Sequence, residues 1–365
     1  MNFYRERLQK IQGLLKEKGL DGLYLTSQPN IYYLTGIPAF ADAKEMYALI
    51  RDEKITVFVN STYFPFAKKA HSDAEIVELT YSNDLTGQIK TYTSSYKTIG
   101  FESEDLTVSI LDKLKNRVSE IEWVPTTNVV EQLRQIKDAD EIENIAQAAQ
   151  ITDDAFLYIQ KYIKPGVSEK DVALELEFYL RKHAGGIAFA PIVASGPNAA
   201  NPHHTPNETR IKENQMVLLD YGAKVHGYCA DLTRMVYVGT PDEAYKKRYA
   251  IVLEAQKKAL DFLESSKKET EIAAKDVDKV ARDYIEAQGY ALPHGLGHCL
   301  GLDIHEHPRL SPLETNSLKP GMAFTVEPGI YIEGWGGIRI EDLIVWDPTD
   351  GMKLLSKANK VICSV

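Results

Sequence analysis

The sequence predicts a two-domain α+β protein, with a smaller α/β unit over residues 1–128 and a larger domain over residues 129–365. Three observations predict it. The length of 365 residues exceeds the usual span of one compact domain. Short apolar runs with strand character dominate the first third of the chain. From about residue 130 the texture changes to long helices, followed by hairpins that carry acids inside apolar runs.

The chain opens on a helix with Tyr4, Leu8, Ile11, Leu14 and Leu15 on one side, followed by a strand, "GLYLTS". "YALIR", "KITVFVN", "AEIVEL" and "KTIGFES" read as further strands, and a helix after residue 102 completes an α/β unit that runs to about residue 125. This unit holds no cluster of reactive side chains. The second domain begins with "DADEIENIAQAAQITDDAFLYIQKYI", whose acidic start suits the positive end of a helix dipole. Within it "SEKDVALELEFYLRKHAGG" and "AAKDVDKVARDYIEAQGY" echo one another, each after a long helix. A histidine-bearing loop and a hairpin with two acids follow each, which predicts an internal duplication rather than a solenoid, whose repeats are shorter.

Composition narrows the function classes. Hydrophobic residues at 44% and charged residues at 26% are ordinary for a soluble globular protein. The net charge of −10, with no long basic run, argues against nucleic acid and anionic membranes as partners. The first twenty residues lack the apolar core of a signal peptide and no long apolar span follows, so a cytoplasmic location is expected. Three cysteines, Cys229, Cys299 and Cys363, form no Cys-x-x-Cys pair, which argues against a disulfide framework or a thiolate zinc site. Cys229 and Cys299 read as small buried hydrophobes.

The chemistry lies in the hairpins. In "QMVLLDYGAKVHGYCADLTRMVYVG" a turn centred between Val225 and His226 would set Asp220 directly opposite Asp231, where like charges repel and call for a cation. In "GMAFTVEPGIYIEGWGGIRIEDLIVW", Glu327 ends one apolar run and Glu341 lies inside another, costly to bury unless paired or bound to metal. Arg339, two residues before Glu341, offers a simple ion-pair alternative. The four carboxylates would balance two divalent ions, and a neutral histidine would complete an oxygen-rich site suited to manganese, cobalt or zinc. Two such ions can activate water and clamp a tetrahedral intermediate.

Histidines cluster in "PHGLGHCLGLDIHEHPR", residues 293–309. His294 and His298 have the spacing of a zinc-protease helix, but Gly295 and Gly297 disfavour a helix and no Glu follows His294. A glycine-rich loop or strand end is expected instead, and spacing alone leaves open which histidine binds.

"LLDYGAKVHGYCADLTR", "HGLGHCLGLDIHE", "TVEPGIY" and "GIRIEDLIV", in this order and with these gaps, resemble the metallopeptidases of the creatinase and prolidase family, the pita-bread fold. The resemblance covers the chain from about residue 130 to its end, and the N-terminal unit, with "QPNIYYLTG", is similar to the family's extra domain. It implies a catalytic domain of pseudo-symmetric helices packed on a curved antiparallel sheet. It also implies five ligands for two divalent ions, Mn2+ first and Co2+ or Zn2+ as alternatives: Asp220, Asp231, His298, Glu327 and Glu341. Asp231 and Glu341 match the bridging acids, Asp220 chelates one ion, and His298 with Glu327 completes the other.

By the same resemblance Glu327, His305 and His203 are the catalytic groups. Glu327 is the general base and acid, and the two histidines assist the developing charge. His294 and Arg339 match residues of the substrate pocket, and Thr233 a partner behind Asp231. Arg309 matches an arginine that in dipeptidases grips the substrate carboxylate. The implied reaction is cleavage of the bond before proline in Xaa-Pro dipeptides, as a prolidase. The alternatives are an aminopeptidase P acting on longer peptides and, more remotely, an inactive peptide-binding module of the same fold. A homodimer is the family expectation, and His307 receives no role.

Overall fold

The structure, a computed structural model, describes residues 3–38, 45–70, 73–347 and 349–365. It divides into two compact units, Met1–Arg134 and Gln135–Val365. In the first, a six-stranded sheet runs in the order Glu75–Leu79, Lys54–Asn60, Met46–Arg51, Gly22–Leu25, Thr98–Glu102, Glu122–Thr126. The five strands expected from apolar runs are all present, and Gly22–Leu25 is buried along its whole length, as a strand covered on both faces must be. The sixth, Glu122–Thr126, escaped the sequence reading because it contains Pro125. It is an edge strand, where a residue without an N–H is tolerated. The opening helix, Phe3–Glu17, buries Leu8, Ile11 and Leu15, and the expected helix after residue 102 is Val108–Arg117.

Glu102 ends the fifth strand of that order and is buried under three donors: the N–H groups of Thr26 and Ser27 at 2.6 and 2.7 Å, and Asn30 Nδ2 at 2.6 Å. Burial pushes its carboxyl up to about 7 from 4.5, with Glu131 adding to the rise, while these donors pull the other way. Because the folded value is the higher one, the folded unit holds a proton that the unfolded chain has released. The stabilisation is therefore full below the unfolded value and is lost as pH rises through the folded one. At about 1.4 kcal/mol per unit, the N-terminal unit is expected to lose about 3 kcal/mol between roughly pH 5 and 8. Denaturant unfolding followed through Trp123, the tryptophan of this unit, checks it: Glu102→Gln should flatten the pH dependence, and an unchanged slope would refute the assignment.

The second unit repeats one plan twice. The helices Ala139–Ile159 and Glu169–His183 precede a sheet in the order Cys363–Ser364, Leu232–Val238, Gln215–Tyr221, Ile192–Ser195. The helices Glu243–Ser265 and Ala274–Ala287 precede a sheet in the order Glu306–Leu310, Gly297–Cys299, Ala323–Val326, Asp342–Asp347, Gly351–Leu354. The echo in the sequence is thus an echo of architecture. Three of the four helices start on acid or hydroxyl caps, with capping boxes at Asp138/Glu141 and Ser168/Asp171 and a cap at Asp242. The second helix pair packs its apolar faces, including Val252, Ala255, Ala259, Val277 and Ala281, with Phe324, Ile344 and Trp346 of the sheet in one core. Among the described residues no helix is long and apolar enough to cross a membrane.

The first acid hairpin differs from expectation in register. His226 and Gly227 both take the left-handed conformation, with φ of 46° and 84°, as a two-residue hairpin turn requires. The turn therefore sits one residue later than expected, and Asp220 faces Thr233 rather than Asp231. Asp231 lies two residues along the same hairpin arm, a diagonal neighbour of Asp220. At Gly222 the ladder bends, and a Cβ there would lie 1.8 Å from Ala230 O, so only glycine fits. The second hairpin pairs Val326 with Asp342 and Gly329 with Arg339. Glu327 and Glu341 thus fall opposite one another at the break between its two ladders.

Candidate metal centre and active site

Three of the four acids of the centre sit at strand breaks, while Asp220 lies near the end of Gln215–Tyr221. Asp231 precedes Leu232–Val238, Glu327 follows Ala323–Val326, and Glu341 separates Gly336–Arg339 from Asp342–Asp347. These breaks release the side chains from the sheet faces while the flanking ladders hold their backbones. The two hairpins are tied together behind them. Glu341 N–H donates to Thr233 O at 3.2 Å, Thr233 Oγ1 donates to Glu341 Oε2 at 2.7 Å, and buried Arg234 pairs with Asp342 at 2.6 Å.

Asp231, His298 and Glu341 bring ligand atoms within 4.8 Å of one another, and all three are buried. His298 Nε2 lies 3.5 Å from both Asp231 Oδ2 and Glu327 Oε1. Its Nδ1 is 3.1 Å from Cys299 O, a contact that puts a proton on Nδ1 and turns Nε2 toward the carboxylates. Asp231 Oδ1 and Glu341 Oε1 are buried and accept no hydrogen bond from the described residues. A buried carboxylate oxygen without a partner is costly. The effect on protonation is consistent with crowding. Burial and the charge of Asp220 push Asp231 up to about 6, and burial with Asp231, Glu327 and Asp220 pushes Glu341 well above the usual range.

The cation that the crowded acids call for is partly Arg339. Its guanidinium forms a very short ion pair with Asp220, lies 4.0 Å from Glu327, and donates to Thr233 Oγ1 at 3.0 Å and Tyr331 Oη at 2.8 Å. Its main acidic partner is therefore Asp220, across the site, and not Glu341 on its own strand. Tyr331 in turn lies 2.9 Å from His294 Nε2, while His294 Nδ1 lies 2.8 Å from Gly295 O. The chain of donors runs from Arg339 through Tyr331 to His294. Burial lowers the His294 proton affinity to about 4, with Arg339 contributing, and burial beside His298 lowers His305 likewise to about 4.

A cavity of about 400 Å³ opens onto these groups. Asp220, Asp231, His298, Glu327, Glu341, His203, His294, His305, Arg309 and Arg339 all line it, so every site residue named from the sequence except Thr233, which lies behind Glu341, meets in one place. The ring of His305 stands edge-on to that of His298 at 4.5 Å. His307 instead sits on the surface, 3.7 Å from Glu314. The sequence reading missed Tyr331 and the apolar lining from Phe189, Ile192, Pro202 and Ile304. Tyr331 could have been found as the residue four after Glu327, on the strand paired with that of Arg339.

Buried acids also anchor the loops that carry the cavity histidines. Glu169 accepts from Ser195 N and Oγ, Asn198 Nδ2 and His204 Nε2 at 2.7–2.9 Å, fastening the segment that leads to His203. Asp278 holds Arg282 and accepts from Leu296 N, while Arg282 donates to Leu292 O and, at 2.8 Å, to His294 O.

The profile of metallopeptidase family M24 matches residues 143–348, and that of the creatinase/prolidase N-terminal domain matches residues 7–136. The chain belongs to metallopeptidase family M24. Its fold is the family's pita-bread fold, preceded by the N-terminal domain. An uncharacterized peptidase of Bacillus subtilis (strain 168) is 38% identical over 93% of this chain and 94% of its own. A solved Xaa-Pro dipeptidase from Bacillus anthracis superposes with a TM-score of 0.91 at 36% identity, covering 99% of this chain and 100% of that one. An X-Pro aminopeptidase from Thermotoga maritima gives 0.88 at 32% identity, covering 98% and 99%. M24 metallopeptidases use divalent metals, and the residues present fit them. Two orphaned carboxylate oxygens, a histidine Nε2 set between carboxylates and an excess of buried negative charge form a hard-cation donor set.

Proposed function

We propose that the chain is a prolidase, hydrolysing the peptide bond before proline in Xaa-Pro dipeptides with two divalent ions, Mn2+ first. Asp220, Asp231, His298, Glu327 and Glu341 would hold the ions. When bound, the ions supply Lewis acidity toward the scissile carbonyl and lower the pKa of a water nucleophile. Glu327 takes the proton from the nucleophile and returns it to the leaving nitrogen. His305 and His203 donate hydrogen bonds to the oxygen on which charge develops. Thr233 orients Glu341, and Arg339 with Tyr331 holds Asp220.

The observation that carries the dipeptide reading is Arg309. It lines the cavity, and its backbone N–H is taken by Glu314 at 2.9 Å, while no carboxylate among the described residues pairs with its guanidinium. A free guanidinium at that place suits the carboxylate of a dipeptide. The similar Xaa-Pro dipeptidase supports this reading, and the similar X-Pro aminopeptidase supports the alternative of longer peptides. Manganese-dependent hydrolysis of Ala-Pro beside Ala-Pro-Ala decides between them: cleavage of the dipeptide alone supports prolidase, and preference for the tripeptide reverses the ranking. Arg309→Met is expected to raise KM for Ala-Pro at least about tenfold with kcat little changed, the size of one charge-assisted contact. Equal kinetics in parent and variant would remove Arg309 from the site. No bound transition metal at any ratio, with tight peptide binding and no cleavage, would instead favour an inactive module. The free, buried thiols of Cys229 and Cys299 suit the reducing cytoplasm, and the homodimer expected of the family is tested by sedimentation.

A further inference from the structure

Two buried side chains outside the lining of the cavity meet beside the His305 loop. Lys137 Nζ sits 2.9 Å from Glu306 Oε2, with the side chains only 1% and 8% exposed. Lys137 is itself fixed. Its N–H donates to Gly321 O at 2.8 Å, and it immediately precedes the capped start of the helix Ala139–Ile159. Glu306 pairs across the ladder with Cys299, the residue after His298. Its other oxygen, Oε1, accepts from Asp303 N at 3.3 Å. Gly301 leaves the room this needs, since a Cβ there would lie 2.8 Å from Oε1. The loop between Cys299 and Glu306 therefore folds around the Glu306 carboxylate, and Lys137 is the buried cation on it.

His305 is the last residue of that loop. Its ring is exposed to the cavity and stands against His298, and no hydrogen bond among the described residues fixes its orientation. Its place is set by the backbone on which it sits, and that backbone is set by Glu306. We infer that the Lys137–Glu306 ion pair positions His305 for catalysis. Lys137 and Glu306 are positioning residues, 169 positions apart in sequence. The inference rests on the proposed role of His305 at the reacting carbonyl.

A pair that only supported folding would lower stability in any background, because breaking a buried ion pair strands the remaining charge. A positioning pair must act through His305, and a double-mutant cycle in the manganese-loaded full chain separates the two. Lys137→Met is expected to lower kcat for Ala-Pro about tenfold with KM changed less than about twofold, since sub-ångström to ångström misplacement costs such factors. In the His305→Ala background the same substitution should cause no further loss. Lys137→Arg, which keeps the charge, should recover most of the rate. Equal fold-losses in both backgrounds, or full kcat in a folded Lys137→Met protein, would overturn the inference while leaving the reading of the site intact. Parental turnover in His305→Ala would overturn the site reading and this inference together. If Lys137→Met does not fold, Glu306→Gln, which preserves shape, is run through the same cycle and judged by the same criterion.

Discussion

A chelator is expected to abolish Ala-Pro hydrolysis, and added Mn2+ to restore it, whereas Asp231→Asn and Glu341→Gln lose at least about 10³-fold in turnover with no recovery at any metal concentration. The reason is electrostatic. Asp220, Asp231, Glu327 and Glu341 face one buried space, and among the described residues Arg339 is the permanent cation paired there. One guanidinium cannot balance four carboxylates. The orphaned oxygens of Asp231 and Glu341 mark where compensation is missing. A bound ion would supply it, and at one hundred times its Kd would stabilise the fold by about 2.7 kcal/mol. The same crowding gives a second, opposite signature. Without metal, Asp231→Asn removes one repelling charge, so the metal-free variant should melt roughly 2–4 °C above the metal-free parent, the shift that about 1 kcal/mol produces in a domain of this size. Calorimetry with and without metal, beside elemental analysis, reads both effects. A variant that keeps its metal and its rate, or a metal-free variant less stable than the parent, would count against the cluster as a cation site.

This trade between metal-free stability and metal binding explains why the acids were legible in the sequence. A carboxylate inside "IRIEDLIV" contradicts every local tendency of a buried strand, and such contradictions point to chemistry. The strands and the helix starts were legible for the opposite reason, since apolar pattern and capping residues agree there with the fold. Register was not. The difference between facing Asp231 and facing Thr233 is one residue of turn position, decided by His226 accepting a left-handed conformation that few non-glycine residues adopt. Nor did the sequence reveal partners that depend on the tertiary fold. Arg339 finds Asp220 from 119 positions away, and Lys137 finds Glu306 from 169. Tyr331 reads as one more aromatic residue in an apolar strand until Arg339 and His294 are seen to converge on its hydroxyl. The spacing that most invited attention, His294 to His298, proved uninformative. The first ring serves Tyr331 and only the second turns Nε2 toward the acids.

Glu327→Gln and His305→Ala are each expected to lower kcat by at least about 10²-fold, the usual size for a general base or an oxyanion donor, but with different signatures. Glu327 stands with its carboxylate 3.5 Å from His298 Nε2 and 3.3 Å from Thr325 Oγ1, and its N–H is fixed to Leu296 O at 2.8 Å. Glutamine keeps this shape and one donor oxygen, so it can remain beside the ions, but it cannot carry a proton between nucleophile and leaving group. A metal-replete Glu327→Gln protein should therefore bind dipeptide with near-parental KM and fail at turnover. His305 is not among the proposed ligands. Its loss should leave metal content and thermal stability unchanged while the developing charge loses a hydrogen-bond donor. If the two act as one unit, Glu327 moving the proton while His305 meets the charge it leaves, the double variant should fall well short of the product of the single losses. Elemental analysis is measured beside kcat in each case. A near-native rate in either metal-replete variant would strip that residue of its role, and multiplicative losses in the double variant would show that the two groups contribute independently.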